Sequence, residues 1–160
     1  MLTEITFLSL EQMKQLAPSS DMVVVSIMDA SESPQRPPLV GFGDVLSLTF
    51  EDTYEEMKLA HDGSWPDEPS EDEHARFAQR RGERVPALSD ARQIVEFLTR
   101  QHRREDEVKL VVHCYGGISR SAAVAAWAAV RFFVPLNTSR STDHANQRLW
   151  RLMDKADGRR

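Results

Sequence analysis

The sequence predicts an α/β layer fold, and its apolar pattern and its length support this class. Short apolar runs rich in β-branched residues, typical of buried strands, alternate with longer segments that carry apolar residues at helical spacing. Strands that alternate with helices build a sheet covered by helices. The length of 160 residues falls within the roughly 100 to 200 residues of one domain. We therefore expect a single domain over residues 1–160.

Two strands are predicted in the first half of the chain. The run MVVVSIM from Met22 to Met28 is typical of a strand buried on both faces, and Val45 to Phe50 is a second strand. The segment SESPQRPP between them must be a loop, because clustered Ser and Pro support neither a helix nor a central strand. Residues 53–84 are rich in Asp and Glu and are interrupted by Gly and Pro. They predict an irregular acidic insertion.

The middle of the second half predicts a helix, a strand and a further helix. Ser89 is a plausible N-cap for a helix that ends near His102. Lys109 to His113 predicts a compact buried strand. The run SAAVAAWAAVRFFV, which begins at Ser121, is rich in Ala and apolar on nearly all sides, and it predicts a helix inside the core. Pro135 ends that helix.

A last helix is predicted from about Thr142 to Met153. Its helical spacing places three apolar side chains on an inner face and two arginines outward. The inward side chains are Leu149, Leu152 and Met153, and the outward ones are Arg148 and Arg151.

Composition and charge narrow the classes of function. The formal charge of −5 and the pI near 5.5 provide no positive field for nucleic acid or an anionic membrane. The first residues lack the basic flank and apolar core of a signal peptide, and no run approaches the roughly 18 to 20 apolar residues that cross a bilayer. We expect a cytoplasmic protein. The single cysteine, Cys114, excludes an internal disulfide and a cysteine-rich zinc site.

The segment VVHCYGGISRS, residues 111–121, carries the chemistry. A buried strand leads through a glycine-containing turn into a helix, so backbone N–H groups and the positive end of the helix dipole converge on one point that favours an anion. Gly116 and Gly117 permit the unusual backbone angles of such a turn. Arg120 supplies a planar pair of donors for two phosphate oxygens. The alternative interpretation is a buried structural cysteine before an ordinary loop.

The same positive field stabilises a thiolate, so we expect Cys114 to be an ionised nucleophile at neutral pH. Ser119 and Ser121 can hydrogen-bond the sulfur or the loop backbone, and Ser121 eases departure of the thiolate when a phosphoenzyme is hydrolysed. His113 supports the loop rather than acting as a base. The loop and Arg120 neutralise the phosphate charge, so the sequence implies no metal and no cofactor.

The sequence HCYGGISRS resembles the phosphate-binding loop of the protein tyrosine phosphatase superfamily, in particular of its small dual-specificity-like members. SLTFEDT, IVEFL and ANQRLWRLMD are similar to the corresponding parts of short bacterial and phage predicted phosphatases, so the resemblance covers most of the chain. It implies a central, mainly parallel sheet flanked by helices, and a cysteinyl-phosphate intermediate. The residues it places around the phosphate are Tyr115, Gly116, Gly117, Ile118, Ser119 and Arg120.

Hydrolysis also needs a carboxylic acid that protonates the leaving group. We favour Asp52, because it follows a predicted strand and strand ends face the crevice of the nucleophile loop. In the family that the chain resembles, the acid lies at this type of position. Asp67 is the alternative, since Trp65, Pro66 and Asp67 match the acid-bearing loop of the larger tyrosine-specific members. Asp62 is the third candidate.

The expected substrate is a phosphorylated protein or a small phosphomonoester. The loop holds no lysine, which disfavours phosphoinositides, and a chain of this length predicts a shallow cleft open to phosphotyrosine and to phosphoserine or phosphothreonine. A phosphopeptide-binding pseudophosphatase is the main alternative. Arsenate reduction and rhodanese-like sulfur transfer are further alternatives, but arsenate reduction needs thiols beyond Cys114. The acidic insertion is a lid or a solvated loop, and the sequence leaves the oligomeric state open.

Overall fold

The computed structural model describes residues 1–53, 66–77 and 84–158. The strands are β1 (Leu2–Leu8), β2 (Met22–Met28), β3 (Asp44–Thr49) and β4 (Val108–His113). The α-helices are α1 (Leu10–Gln15), α2 (Glu71–Phe77), α3 (Leu88–His102), α4 (Arg120–Phe132) and α5 (Gln147–Ala156), and a 3-10 turn spans Ser33–Gln35.

The strands form one sheet in the order β1-β4-β2-β3, and every pairing among them is parallel. This confirms the predicted α/β class with a central parallel sheet flanked by helices. In parallel strands the carboxyl ends lie at the same edge of the sheet. Here Leu8 pairs with His113, Ser26 pairs with His113, and Met28 pairs with Thr49. The segments that follow all four strands therefore emerge together.

Both faces of the sheet are buried, as is usual for a parallel sheet. The main core lies between one face and the helices α3, α4 and α5, and it includes Val25, Val112 and Leu149. A smaller cluster on the other face joins Val24 and Val111 to Met13 and to partly buried residues nearby. Successive side chains of β2 and β4 point to opposite faces of the sheet. Because both faces are covered, nearly every residue of these two strands is buried.

The sequence prediction missed the first two elements. β1 is an edge strand with polar residues among its apolar ones, and its backbone pairs with β4 alone among the strands. α1 begins with a capping box in which Ser9 Oγ accepts from Gln12 N, and Gln12 Oε1 accepts from Ser9 N. The spacing of Ser9 and Gln12 was the available signal for this helix. The first turn of α1 touches the nucleophile loop through Leu10 N.

Two predicted helix starts were wrong. α3 is capped at Ala87 rather than at Ser89, because Asp90 Oδ2 accepts the Ala87 N–H at 2.8 Å and satisfies the end of the helix two residues earlier. Ser89 lies inside the helix, where its N–H and its hydroxyl both donate to Glu68 at 2.7 Å. α5 begins at Gln147 instead of Thr142, because Asn146 Oδ1 accepts from Leu149 N at 2.9 Å.

The outward placement of Arg148 was also wrong. Its side chain is fully buried, with Nε donating to Pro86 O at 3.0 Å and Nη2 donating to Pro66 O at 2.8 Å. The chain around Pro66 and Pro86 packs on α5, so the buried face of this helix is wider than its apolar stripe. Arg151 remains partly exposed and forms an ion pair with Asp67 at 2.9 Å.

The acidic insertion is only partly described. Residues 66–77 include α2, so this part is not irregular as predicted. Asp62 and Trp65 lie outside the described residues. A search of the helices in residues 1–53, 66–77 and 84–158 found none with both the length and the apolar character that a bilayer crossing requires.

Candidate active site

Cys114 lies between β4 and the start of α4, at the carboxyl edge of the sheet, and its side chain is 3% exposed. Ser121 Oγ lies 3.1 Å from the sulfur, and the Gly117 N–H donates to it at 3.3 Å. Because α4 begins at Arg120, the sulfur also faces the positive end of a helix dipole. The loop bends back on its own first residue, so the Gly117 N–H and the Ser121 hydroxyl both lie beside the thiol.

Two carbonyl groups of the loop accept hydrogen bonds from neighbouring segments of the chain. Tyr115 O accepts from Leu10 N in the first turn of α1 at 2.9 Å, and Ser119 O accepts from Asn146 N at 3.1 Å. In a trans peptide the carbonyl and the following N–H point in opposite directions. An outward Tyr115 carbonyl therefore directs the Gly116 N–H inward. Such an array of inward N–H groups binds anions.

The two glycines of the loop are not equivalent. Gly117 has a φ of +64°, and a Cβ there would lie 2.5 Å from Ser9 N and 2.7 Å from Leu8 C. Gly116 lacks a positive φ, and a Cβ there would make only ordinary contact with Ile118 at 3.5 Å. The expectation that both glycines supply unusual angles was thus wrong for Gly116. Gly117 is required because the loop packs directly on the end of β1.

Arg120 is buried, and its guanidinium is held by the neighbouring strand ends. Nη1 donates to Phe50 O at 2.7 Å and to the Asp29 carboxylate, while Nη2 lies 3.7 Å from Glu32. Burial acts to lower the pKa of Arg120, but Asp29 and the nearby Cys114 charge outweigh it and raise that pKa. Arg120 Nε is buried and has no hydrogen-bond partner among the described residues.

An unsatisfied buried N–H is costly in a folded protein. In Arg120 this N–H belongs to a guanidinium that is close enough to Cys114 for their charges to interact. The Nε and Nη2 groups form one edge of the guanidinium, the edge that holds two oxygens of a carboxylate or phosphate in parallel. Asp29 and Phe50 engage the other side through Nη1. An anion on the Nε and Nη2 edge leaves the Nη1 contacts with Asp29 and Phe50 in place, and it lies near Glu32, which is 3.7 Å from Nη2.

Asp52 contacts the nucleophile loop directly. Its Oδ1 accepts from Ser119 Oγ and from Asn146 Nδ2, each at 2.7 Å. Asn146 Nδ2 also donates to Thr53 O at 3.1 Å, which fixes the chain after β3 against the start of α5. The predicted pairing of a strand-end carboxyl with the cysteine loop is therefore present, and Ser119 is used to orient Asp52.

Asp67 lies in a different environment. Its carboxylate forms ion pairs with Lys155 at 2.5 Å and with Arg151 at 2.9 Å, both on α5. The hydrogen bond from Lys155, followed by that from Arg151, holds the pKa of Asp67 below its ordinary value despite partial burial. Asp67 O also accepts from Leu88 N at the start of α3. These contacts attach the middle of the insertion to α3 and α5.

His113 supports the loop from within the sheet. Its Nδ1 lies 3.3 Å from Cys114 O, and a carbonyl can only accept, so Nδ1 carries the proton. Burial lowers the pKa of His113 to about 4, and the nearby Arg36 charge acts in the same direction. The ring is therefore neutral at physiological pH. A neutral, fully buried ring that donates to backbone is a structural support.

Three polar residues around the site, Asp29, Asn146 and Glu51, were not predicted from the sequence. Asp29, which directly follows β2, holds Arg120. Asn146, which directly precedes α5, holds Asp52. Glu51, next to Asp52, has a pKa raised by burial, but its oxygens accept from Ala30 N and Arg84 N. Glu51 therefore links two loops. No short-range pattern in the sequence indicates these partners.

The nucleophile loop exposes two large apolar side chains at the mouth of the site. Tyr115 is 47% exposed and Ile118 is 52% exposed, although both belong to a loop whose other members are mostly buried. Large apolar side chains at these positions are available to contact a ligand at the loop.

Comparisons with known proteins found no match. No family model, no curated protein and no solved structure is similar enough to this chain to be identified with it.

Proposed function

We propose that this chain is a cysteine-dependent phosphomonoester hydrolase of the protein tyrosine phosphatase type, with a dual-specificity-like site. The supporting observation is the Arg120 guanidinium, which is buried near Cys114 with one N–H left without a partner among the described residues. A phosphate bound over the sulfur satisfies that donor and the inward loop amides together. The resemblance of HCYGGISRS to the superfamily loop supports the same interpretation.

The first chemical step transfers phosphate to sulfur. The Cys114 thiolate attacks phosphorus, an S–P bond forms, and the bond from phosphorus to the ester oxygen breaks. Asp52, which Ser119 and Asn146 hold beside the loop, gives its proton to the departing oxygen. Arg120 and the loop N–H groups stabilise the charge on the phosphoryl oxygens in the transition state.

The second step hydrolyses the cysteinyl phosphate. The ionised Asp52 accepts a proton from a water molecule. The oxygen of that water attacks phosphorus, and the S–P bond breaks. The sulfur leaves as a thiolate, which the Ser121 hydroxyl stabilises from 3.1 Å. Inorganic phosphate is released, and Asp52 holds the proton again for the next cycle.

The assignment of the acid to Asp52 rather than Asp67 follows from their partners. A general acid must carry a proton and reach the leaving group. Asp67 is paired with two cations that favour its ionised form. Asp52 instead contacts Ser119 in the loop that binds the phosphate. Asp67 serves to attach the insertion to α5.

The substrate class follows from the mouth of the site. Tyr115 and Ile118 offer apolar contact to a phosphotyrosine ring. The loop contains no lysine that would meet the additional phosphates of an inositol lipid. The carboxylates of Asp29 and Glu32 near Arg120 disfavour further negative charge beside the reacting phosphate. We expect phosphotyrosine, with phosphoserine and phosphothreonine as poorer substrates.

The test is hydrolysis of p-nitrophenyl phosphate and of phosphotyrosine and phosphoserine peptides in EDTA. Wild type is compared with Cys114→Ser, Asp52→Asn and Asp67→Asn. We expect Cys114→Ser to abolish turnover, and Asp52→Asn to lower kcat on the peptides by about 10² to 10⁴, the usual contribution of a general acid. Asp67→Asn is the matched carboxylate control and should retain kcat within about threefold.

Each other outcome points to a different function. Phosphopeptide binding by wild type without phosphate release supports a pseudophosphatase, and arsenate turnover with added thiols or formation of thiocyanate supports one of the other two alternatives. Release of phosphate by Cys114→Ser at the wild-type rate contradicts the proposal. A crippled Asp67→Asn beside a normal Asp52→Asn reverses the assignment of the acid.

A further inference from the structure

Arg140 lies in the connection between α4 and α5 and reaches back to the outer side of the nucleophile loop. Its Nη1 donates to Gly116 O at 3.1 Å and to Gly117 O at 2.9 Å. Its Nε donates to Gln12 Oε1 at 2.9 Å, and its own backbone N–H donates to Thr138 Oγ1 at 3.0 Å. The arginine is therefore fixed at its backbone and along its guanidinium.

The peptide geometry gives these contacts a consequence. No peptide bond of the described chain is cis, and in a trans peptide the carbonyl and the next N–H point in opposite directions. A cation that holds Gly116 O and Gly117 O outside the loop therefore turns the N–H groups of Gly117 and Ile118 inward. The Gly117 N–H does point inward, because it donates to Cys114 Sγ at 3.3 Å.

These two peptides are the ones most in need of a support. Glycine has more conformational freedom than any other residue, so peptides beside Gly116 and Gly117 can rotate at low cost. The Tyr115 and Ser119 carbonyls on either side are held by backbone N–H groups. A rotated peptide between them would direct a carbonyl oxygen at the phosphate, where the two negative groups repel each other.

We propose that Arg140 is a positioning residue of the phosphate site, which orients the Gly117 and Ile118 N–H groups by holding the carbonyls of Gly116 and Gly117. The inference rests on the proposed function for its ligand, a phosphate monoester. It requires nothing of the chemistry beyond anion binding at Cys114. It also assigns a role to the first turn of α1, because Gln12 anchors the guanidinium and Leu10 N holds Tyr115 O.

The experiment compares Arg140→Ala and Arg140→Lys with wild type and with Arg131→Ala. Arg131 pairs with Asp157 near the far end of α4, roughly 16 Å along the helix from Arg120, and serves as a control for the loss of a surface arginine. Three quantities are measured: the Kd of orthovanadate, kcat and KM for p-nitrophenyl phosphate, and the pH midpoint of Cys114 alkylation by iodoacetamide. Thermal melts establish that each variant is folded.

We expect Arg140→Ala to weaken vanadate binding and to lower kcat/KM by about 10²-fold, the scale for misplacement of groups around a reacting centre. The alkylation midpoint should rise, because the sulfur loses the oriented Gly117 N–H. Arg140→Lys retains the charge but not the planar pair of donors, and should fall between wild type and Arg140→Ala. Arg131→Ala should match wild type in all three measurements.

The outcomes separate this inference from the proposed function. Wild-type vanadate affinity and alkylation midpoint in folded Arg140→Ala would overturn the role of Arg140, whatever the turnover. If wild type does not hydrolyse p-nitrophenyl phosphate but Arg140→Ala raises the alkylation midpoint, the proposed function is overturned and the positioning role remains. If Arg140→Ala does not fold, Arg140→Lys decides: vanadate binding as tight as in wild type overturns the inference.

Discussion

The carboxyl edge of the sheet and the buried side of α5 both gather charged side chains, but they use them differently. At the sheet edge, Arg120 is buried with one N–H that no described group accepts. On α5, Arg148 is fully buried, its Nε and Nη2 donate to the carbonyls of Pro86 and Pro66, and Asp67 pairs with Arg151 and Lys155. Charges bound to backbone hold segments together. The buried Nε of Arg120 instead belongs to a cation near Cys114, so this donor is available to a ligand at the nucleophile loop.

The difference is sharpened most by the two glycines at the sheet edge. We expect Gly117→Ala to lower the free energy of unfolding by about 2 to 4 kcal/mol, because a left-handed φ and overpacking against backbone both oppose a side chain. Gly116→Ala is the matched control and should stay within about 1 kcal/mol of wild type. Urea unfolding of the two variants measures this. Equal losses in both would contradict the packing of Gly117 on the end of β1.

The α5 side is tested by its two arginines. Arg148→Met should lower the free energy of unfolding by about 2 to 3 kcal/mol, because the buried carbonyls of Pro66 and Pro86 lose charged donors. Arg151→Met removes a partly exposed ion pair with Asp67 and should cost less than about 1 kcal/mol. Urea unfolding again gives both values. Similar losses for the two variants would show that the burial of Arg148 contributes little.

His113 at the carboxyl edge of the sheet and Asp90 at the start of α3 make the free energy of unfolding depend on pH in opposite directions. Burial lowers the pKa of His113 to about 4, so the folded state binds this proton only at a lower pH than the unfolded state does. The free energy of unfolding therefore rises with pH between about 4 and 6.5. Burial raises the pKa of Asp90 to about 6, so the folded state keeps this proton up to a higher pH than the unfolded state does. The free energy of unfolding therefore falls with pH between about 3.8 and 6. The two contributions oppose each other over most of this range.

Asp90→Asn separates these contributions, since it removes only the falling one. We expect the free energy of unfolding of this variant to rise more steeply with pH than that of wild type between pH 4 and 6, by up to about 1.4 kcal/mol per pH unit. Urea unfolding at a series of pH values measures the two slopes. Parallel curves for wild type and variant would mean that Asp90 titrates alike in the folded and unfolded states.

The parts of the fold that the sequence predicted well are those with a strong local signal. β2, β4 and α4 are nearly continuous apolar segments, and their predicted and observed bounds differ by a residue or two. β1 was missed because an edge strand carries polar residues, and α5 was predicted too early because its cap depends on one side chain, Asn146. Arg148 was misplaced because a helical stripe does not reveal a second neighbour.

The site divides in the same way. Cys114 and Arg120 are six residues apart in one loop that joins a strand to a helix, so spacing and residue type were enough to bring them together. The contact between Asp52 and Asn146 spans 94 residues of sequence, and that between Arg140 and Gly117 spans 23. Periodicity and motif spacing report only on neighbours along the chain. The supports of the loop emerge once the parallel sheet brings distant segments to a common edge.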